Sequence, residues 1–216
     1  MHEVDPRALQ RAGGGAGAVV MLACLVLLVA SAVGVLVMGP LSETPLPQPG
    51  LPEVPAYVAT HAATMFVVAG SNLVAAAALY VYGAYVPQAV HSLRRVRFAL
   101  LLAVAMLVLS ALAGLLLAVL ASVASDGVLH VLHTLAWLSG GVLHVATLGL
   151  YIAWLSRSLL WPPLLRASGG LVGWYALACL VVLVAPDLSP FGVAARLPCL
   201  LWLLVAAHQS AFHDRG

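Results

Sequence analysis

The chain has 216 residues, of which 63% are hydrophobic and 7% are charged, and its mean hydropathy is +1.09. Because soluble domains carry about 25% charged residues, no ordinary soluble fold could bury this much apolar surface. The net charge of +2 comes without a basic patch interleaved with aromatic residues, and this excludes nucleic acid as a partner. The composition therefore predicts a single-domain protein that lies in the lipid bilayer.

The apolar residues fall into six segments, most of them near the roughly 20 residues that a helix needs to cross a bilayer. The predicted spans are 15–38, 56–86, 98–124, 128–156, 169–185 and 194–212. The first is longer than the core of a signal peptide, which has about 7 to 15 residues, so we expect it to be retained. Ala30-Ser31-Ala32 nevertheless resembles a cleavage site. The predicted fold class is all-α, an integral membrane six-helix bundle.

A proline-rich loop, 40–55, separates the first two spans and is predicted to be extended, because proline fixes φ and lacks an amide donor. The second span carries His61 and Asn72. At about 100° per residue, their separation returns them to nearly the same helical angle. This polar seam should face the inside of the bundle, because polar groups in lipid need partners.

Small residues recur every four positions along the third span. They are Ser110, Gly114, Ala118 and Ser122. Such a stripe lets another helix approach closely, so it could serve a second copy of the chain or a membrane-protein partner. In the fifth span, Gly169 has the same small-residue spacing to Gly173.

The fourth span, 128–156, carries three histidines, His130, His133 and His144. On a regular α-helix all three imidazoles share one narrow face. We expect Asp126-Gly127 to form a tight turn that leads into this span. Three histidines on one face of a membrane helix are the sharpest feature of the sequence.

The second and fourth spans are predicted to place histidines at the same depth. With a rise of 1.5 Å per residue, His61 and His133 lie about 9 Å and 10 Å from the loops that precede them. His144 falls about 16 Å deeper than His133, near the level of Asn72. Two hypotheses follow from this placement.

In the first hypothesis the histidines are neutral partners in hydrogen bonds between helices. In the second, His61 with His133 or His130 ligates a haem between two helices, or the three histidines hold a metal ion. Neutral imidazole suits iron, copper and zinc, and axial histidines are a common way to hold haem iron. The spacing alone favours the structural hypothesis, because two histidines separated by two residues are a weak metal signature.

Arginine placement predicts the orientation. If successive loops alternate between the two sides, eight of the nine basic residues lie on one side. These are Arg7, Arg11, Arg94, Arg95, Arg97, Arg157, Arg166 and Arg215. The remaining one, Arg196, lies near an end of the sixth span, where it is expected to snorkel. The bias predicts a protein of the cell membrane with both termini cytoplasmic.

The second span resembles the second helix of the catalytic subunit I of haem–copper oxidases, most of all the C-type branch. The residues that carry this resemblance are His61, Gly70, Asn72 and Tyr80-Val81. The resemblance implies that His61 is an axial ligand of a low-spin haem.

The fourth span is similar to a later haem helix of the same family, in which an acidic residue precedes two close histidines and then small residues. Here these are Asp126, His130, His133, Gly140, Gly141 and Gly149. The resemblance implies that His133 is the second axial ligand. The family spaces its paired histidines by one residue, whereas here the spacing is two. No span carries the further histidines that would hold copper, so copper is not expected.

Taken together, the sequence predicts a membrane protein with a haem b held by His61 and His133, or by His130 in place of His133. Asn72 and His144 would complete the polar seam. Its role would be electron transfer or haem-based sensing, as a possible membrane redox protein without an identified catalytic residue. The alternative is a non-enzymatic membrane protein whose seam is structural or passes or senses a small solute.

Overall fold

The computed structural model describes residues 6–38, 47–86, 93–159, 161–185 and 189–212. Throughout these ranges the regular structure is helical, as the hydropathy pattern predicts. The α-helices are α1 (Pro6–Met38), α2 (Val54–Thr60), α3 (Ala62–Tyr85), α4 (Leu93–Leu120), α5 (Asp126–Leu138), α6 (His144–Leu155), α7 (Pro163–Ala178) and α8 (Ser189–Phe212). A π-helical turn, Ser139–Leu143, joins α5 to α6, and a 3-10 helix, Cys179–Leu183, extends α7.

Five helical segments of the described chain are long and apolar enough to cross a membrane. They are Ala16–Val37, Ala62–Tyr85, Leu93–Leu120, Asp126–Leu155 and Pro163–Leu183. These coincide with the first five predicted spans. The sixth predicted span, 194–212, lies within α8, which is not one of the five. The fold is thus a bundle of apolar helices of the kind found in multi-pass membrane proteins.

The helices pack in chain order around a closed ring. α1 contacts α3, α3 contacts α4, α4 contacts α5 and α6, α6 contacts α7, α7 contacts α8, and α8 returns to α1. The helix α4 therefore lies between α3 and the α5–α6 helix. This arrangement decides which of the predicted histidines can meet.

The second span is not one continuous helix. It breaks at His61, whose φ of −119° and ψ of 28° are not helical, and so α2 is separate from α3. The predicted loop 40–55 is described only from residue 47 onward. Residues 47–53 have no regular helix, but Val54 and Pro55 were wrongly predicted to be extended, because proline is tolerated in the first turn of a helix and α2 begins there. The rest of that loop lies outside the described residues.

The fourth span begins earlier than predicted. Asp126 and Gly127 do not form a tight turn, because both belong to the first turn of α5. An acidic side chain in that position is favourable, since the amide groups at a helix start carry partial positive charge. Ser125 is the residue that immediately precedes the helix.

The two ends of the helix bundle differ in composition. The end formed by α2, the end of α4 and the start of α5 is called the α2 end. The opposite end, formed by the start of α4, the end of α6 and the start of α7, is called the arginine end. It carries Arg94, Arg95, Arg97, Arg157 and Arg166.

Small residues hold neighbouring helices close inside the chain. A Cβ on Gly173 would lie 2.7 Å from the carbonyl oxygen of Gly149, so the backbones of α7 and α6 are nearly in contact there. Gly114 lies against Ala69 of α3, at 3.3 Å for an added Cβ. Ser110 and Ala118, one turn on either side of Gly114, are also buried. The small-residue stripe of the third span is therefore used within this chain, and only Ser122 is exposed.

Candidate functional site

His133 is the most unusual of the predicted site residues. It is 2% exposed, and both its Nδ1 and its Nε2 are buried without a hydrogen-bond partner in the described chain. A buried polar atom left without a partner costs about 1 to 3 kcal/mol. The ring therefore lies where an additional ligand would lower the free energy.

His130 lies one helical turn before His133 on α5 and is only half-buried. Its Nδ1 is also buried without a partner in the described chain. The structure keeps both histidines as candidates, because both have unpaired nitrogen atoms.

His61 lies at the break between α2 and α3, and its ring orientation is fixed locally. The Nδ1 atom lies 3.0 Å from the carbonyl oxygen of Tyr57 and 2.8 Å from Oγ1 of Thr60. The ring stacks on that of Tyr57, with centroids 4.2 Å apart and planes at 12°. Donation from Nδ1 to the carbonyl would place the lone pair of the neutral ring on Nε2.

The elements that carry His61 and His133 touch at the α2 end. α2 packs on α5, and Val54 and Val58 of α2 form a small apolar cluster with Leu117 and Leu129. Tyr57 packs with Met65 and Ala118, and its buried hydroxyl has no partner in the described chain. These two clusters bring few hydrogen-bonding groups to the α2 end.

Farther from the α2 end, the polar seam is hydrogen-bonded. Asn72 donates from Nδ2 to Oγ of Ser110 at 3.1 Å, and Ser110 donates to the carbonyl of Ala136 at 2.9 Å. This chain of bonds crosses from α3 through α4 to α5. Nδ1 of His144 lies 3.1 Å from the carbonyl of Ala103, again on α4. Asn72 and His144 therefore have the partners that a structural role requires.

The single narrow face predicted for the three histidines is interrupted between His133 and His144, because the helix there is not regular, whereas His130 and His133 remain one turn apart on α5. The π-helical turn Ser139–Leu143 separates His133 from His144. One extra residue in a turn rotates everything after it by about 100° relative to an α-helix. Gly140 and Gly141 favour this irregular turn, since glycine stabilises α-helix poorly.

Side chains from three other elements satisfy the carbonyl groups around the π turn. Ser110 donates to Ala136, the thiol of Cys179 lies 3.5 Å from the carbonyl of Val142, and Nη2 of Arg196 lies 3.4 Å from that of Gly140. An added Cβ on Gly140 would clash with Ser110. The π turn is thus tightly packed between α4 and α8.

Arg196 is the residue whose role the sequence prediction missed. Instead of snorkelling away from the bundle, it is half-buried and points at the π turn, and its Nε is buried without a partner in the described chain. Its isolation from the other arginines along the chain was the signal that could have identified it, because an arginine inside a bundle needs a specific reason.

The described residues contain no cluster of three or more His, Cys, Asp or Glu side chains that could hold a metal ion. A bis-histidine haem needs only two such ligands, so this result bears on the metal alternative alone. No described histidine lines the groove between α1 and α3 or the cavity at the arginine end. Comparison with family models, with curated proteins and with solved structures finds no match for this chain.

Proposed function

We propose that this chain is a six-span membrane protein, with both termini cytoplasmic, that holds a haem b at its α2 end for electron transfer or haem-based sensing. His133 supplies one axial nitrogen and His61 the other. The observation that carries the proposal is the buried imidazole of His133, with two ring nitrogens that no described group satisfies.

The donor chemistry of the α2 end fits such a group. The Tyr57 carbonyl and ring stacking hold the imidazole of His61 in one orientation, as a hydrogen-bonded carbonyl does for metal-binding histidines. The resemblance of these two spans to haem-binding helices supports the same pair. His130 is the alternative ligand on α5, one turn away.

Movement of α2 would make space for a macrocycle. This helix has seven residues, ends at the non-helical His61, and packs on α5 through valine and leucine side chains. Displacement of so short an element breaks few hydrogen bonds between helices. When bound, a haem would supply one-electron redox chemistry or a site for a diatomic gas.

The orientation of the chain is proposed from its arginines. Five of them lie at the arginine end of the described bundle, and the only one described on α8 points inside it. The excess of positive charge at one end favours that end as the cytoplasmic one. Reporter fusions after Arg97 and after Arg166 should then give cytoplasmic signals, and one at Glu53 an external signal. A cytoplasmic signal at Glu53 would overturn the orientation.

The competing function is a non-enzymatic membrane protein with a structural seam. The hydrogen-bonded chain from Asn72 through Ser110 to Ala136, together with the bond of His144 to Ala103, favours it for the inner part of the seam. It does not account for His133, which has no such bond to any described residue. The haem proposal therefore predicts a bound ligand at the α2 end, whereas the structural function predicts none.

An absorption spectrum separates them. The full chain, produced in cells supplied with haem precursor and purified in detergent, should show a Soret band and a haem content near one per chain. Reduced-minus-oxidised spectra should show the sharp bands of a six-coordinate b-type haem. A purified protein without any Soret band would contradict the haem proposal.

Variants then identify the ligands. His61→Ala and His133→Ala should each remove most of the bound haem, and the double variant should lose no more than either single one, because both changes break the same site. His208→Ala, at an exposed histidine of α8, is the matched control and should keep full haem content. If His130→Ala removes the haem and His133→Ala does not, the ligand on α5 is His130.

A further inference from the structure

A second site lies at the arginine end, far from the histidines. A cavity of about 520 Å³ opens between the end of α6 and the start of α7, and Arg157 and Arg166 both line it. Arg157 is exposed and Arg166 is half-buried. No carboxylate of the described chain lines this cavity or pairs with either guanidinium. The charged side chains in the described lining of this cavity are therefore both positive.

The start of α7 adds to this positive character. Pro163 is the first residue of α7 and also lines the cavity, and the helix has no side-chain cap. The amide groups in the first turn of a helix lack intrahelical acceptors and carry partial positive charge. Pro163 has no N–H, so the helix start contributes only this general positive field, and the two arginines are the groups able to bond a phosphate.

The cavity is apolar at its other side. Trp174, also in its lining, lies about 12 Å along α7 from Arg166 and is 67% exposed. The same outer face of α7 presents Leu171, which is 73% exposed. A ligand that fills the cavity would place an anionic group at the arginines and apolar chains along α7.

We infer that this cavity binds an anionic phospholipid, with its phosphate between Arg157 and Arg166 and its acyl chains against Trp174 and Leu171. A phospholipid satisfies both parts of the surface, whereas soluble phosphate would satisfy only the arginines. Basic pockets between membrane helices at a headgroup level are suited to such lipids. The inference does not depend on the haem proposal, because the two sites share no residue.

The probe is phosphatidylglycerol added to the detergent-purified full chain, compared with phosphatidylcholine and with glycerol 3-phosphate. We expect phosphatidylglycerol to raise the midpoint of thermal unfolding, phosphatidylcholine to raise it less, and glycerol 3-phosphate to leave it unchanged. Native mass spectrometry should show one tightly retained phosphatidylglycerol per chain. An equal shift with glycerol 3-phosphate would overturn the assignment to a lipid.

Charge variants test the arginines. Arg157→Gln and Arg166→Gln should each weaken retention of phosphatidylglycerol about fivefold and bring it close to that of phosphatidylcholine in combination. Arg95→Gln removes the same charge from an exposed position of α4 at the same end of the bundle and should have little effect. Equal losses in all three variants would show a diffuse electrostatic attraction and overturn the site.

A variant that fills the cavity tests the location without any change of charge. Gly170 lines the cavity, and a Cβ added there meets no atom within 4 Å, so Gly170→Leu should fold and occupy the lipid position. It should abolish preferential retention of phosphatidylglycerol. Ala178→Leu, at an exposed position later on the same helix, is the control and should preserve it. Full retention in Gly170→Leu would overturn the proposal.

Discussion

His133 lies on α5 and His144 at the start of α6, on either side of the π turn. They are about equally buried, at 2% and 1% exposure, yet their surroundings differ. Nδ1 of His144 lies 3.1 Å from the carbonyl of Ala103 on α4. Both nitrogens of His133 lack a partner in the described chain. Burial of a histidine therefore does not reveal its role, whereas its hydrogen-bond partners do.

The difference arises from what faces each ring. At the level of His144, α4 lies close against α6 and presents a backbone carbonyl. At the α2 end, no described group bonds either ring nitrogen of His133, although the ring is buried. Substitution of His144 by leucine should consequently lower the free energy of unfolding, whereas the same substitution of His133 in haem-free protein should raise it.

The largest expected effect concerns the π turn between the two histidines. Gly140→Ala places a methyl group against Ser110 and should lower the free energy of unfolding by up to about 3 kcal/mol, because the bonded chain through Ser110 must shift. Gly141→Ala is the control. Its added Cβ meets nothing within 4 Å, so stability should stay the same or rise by up to about 1 kcal/mol. Denaturant or thermal unfolding in detergent measures the stability of both variants. Equal effects would show that Gly140 is not tightly packed against α4.

A smaller loss is expected for His144→Leu. The leucine fills much of the same space but cannot bond the carbonyl of Ala103, so the free energy of unfolding should fall by about 1 to 2 kcal/mol. The measurement is unfolding of the haem-free protein in detergent. An unchanged stability in His144→Leu would mean that the bond contributes nothing and that His144 is available for another role.

The corresponding change at the α2 end should act in the other direction. In haem-free protein, His133→Leu removes two buried unpaired nitrogens and should raise the free energy of unfolding by about 1 kcal/mol. In protein loaded with haem the same variant should lower it, because the ligand is lost. A loss of stability in the haem-free form would show that His133 is a structural residue like His144.

The smallest effect is expected within the bonded seam. Ser110→Ala removes the link between Asn72 and the carbonyl of Ala136, and such bonds contribute about 0.6 kcal/mol on average between membrane helices. Ser122→Ala, at an exposed position of the same small-residue stripe, should have no measurable effect. A loss well above 1 kcal/mol in Ser110→Ala would indicate that the π turn itself depends on this hydroxyl.

The positions of the helices were largely predictable from the sequence. The first five predicted spans overlap helical segments able to cross a membrane, and the proline-rich segment is not helical over 47–53, although Val54 and Pro55 at its end already belong to α2. These properties depend on local composition, since about 20 consecutive apolar residues suffice for a span and proline prevents a helix within its own neighbourhood. Chain order alone did not reveal that His61 would break the second span.

Only the tertiary structure decided which side chains meet. The sequence by itself determined an all-helical apolar chain with histidines on its second and fourth spans, because hydropathy and residue spacing are read along the chain. It could not show that α4 lies between those spans, that a π turn rotates His144 away from the face of His133, or that Arg196 points inward. Apolar helix faces can pack in many combinations of similar energy, and so the partner of a buried polar group is fixed only when the whole bundle is assembled.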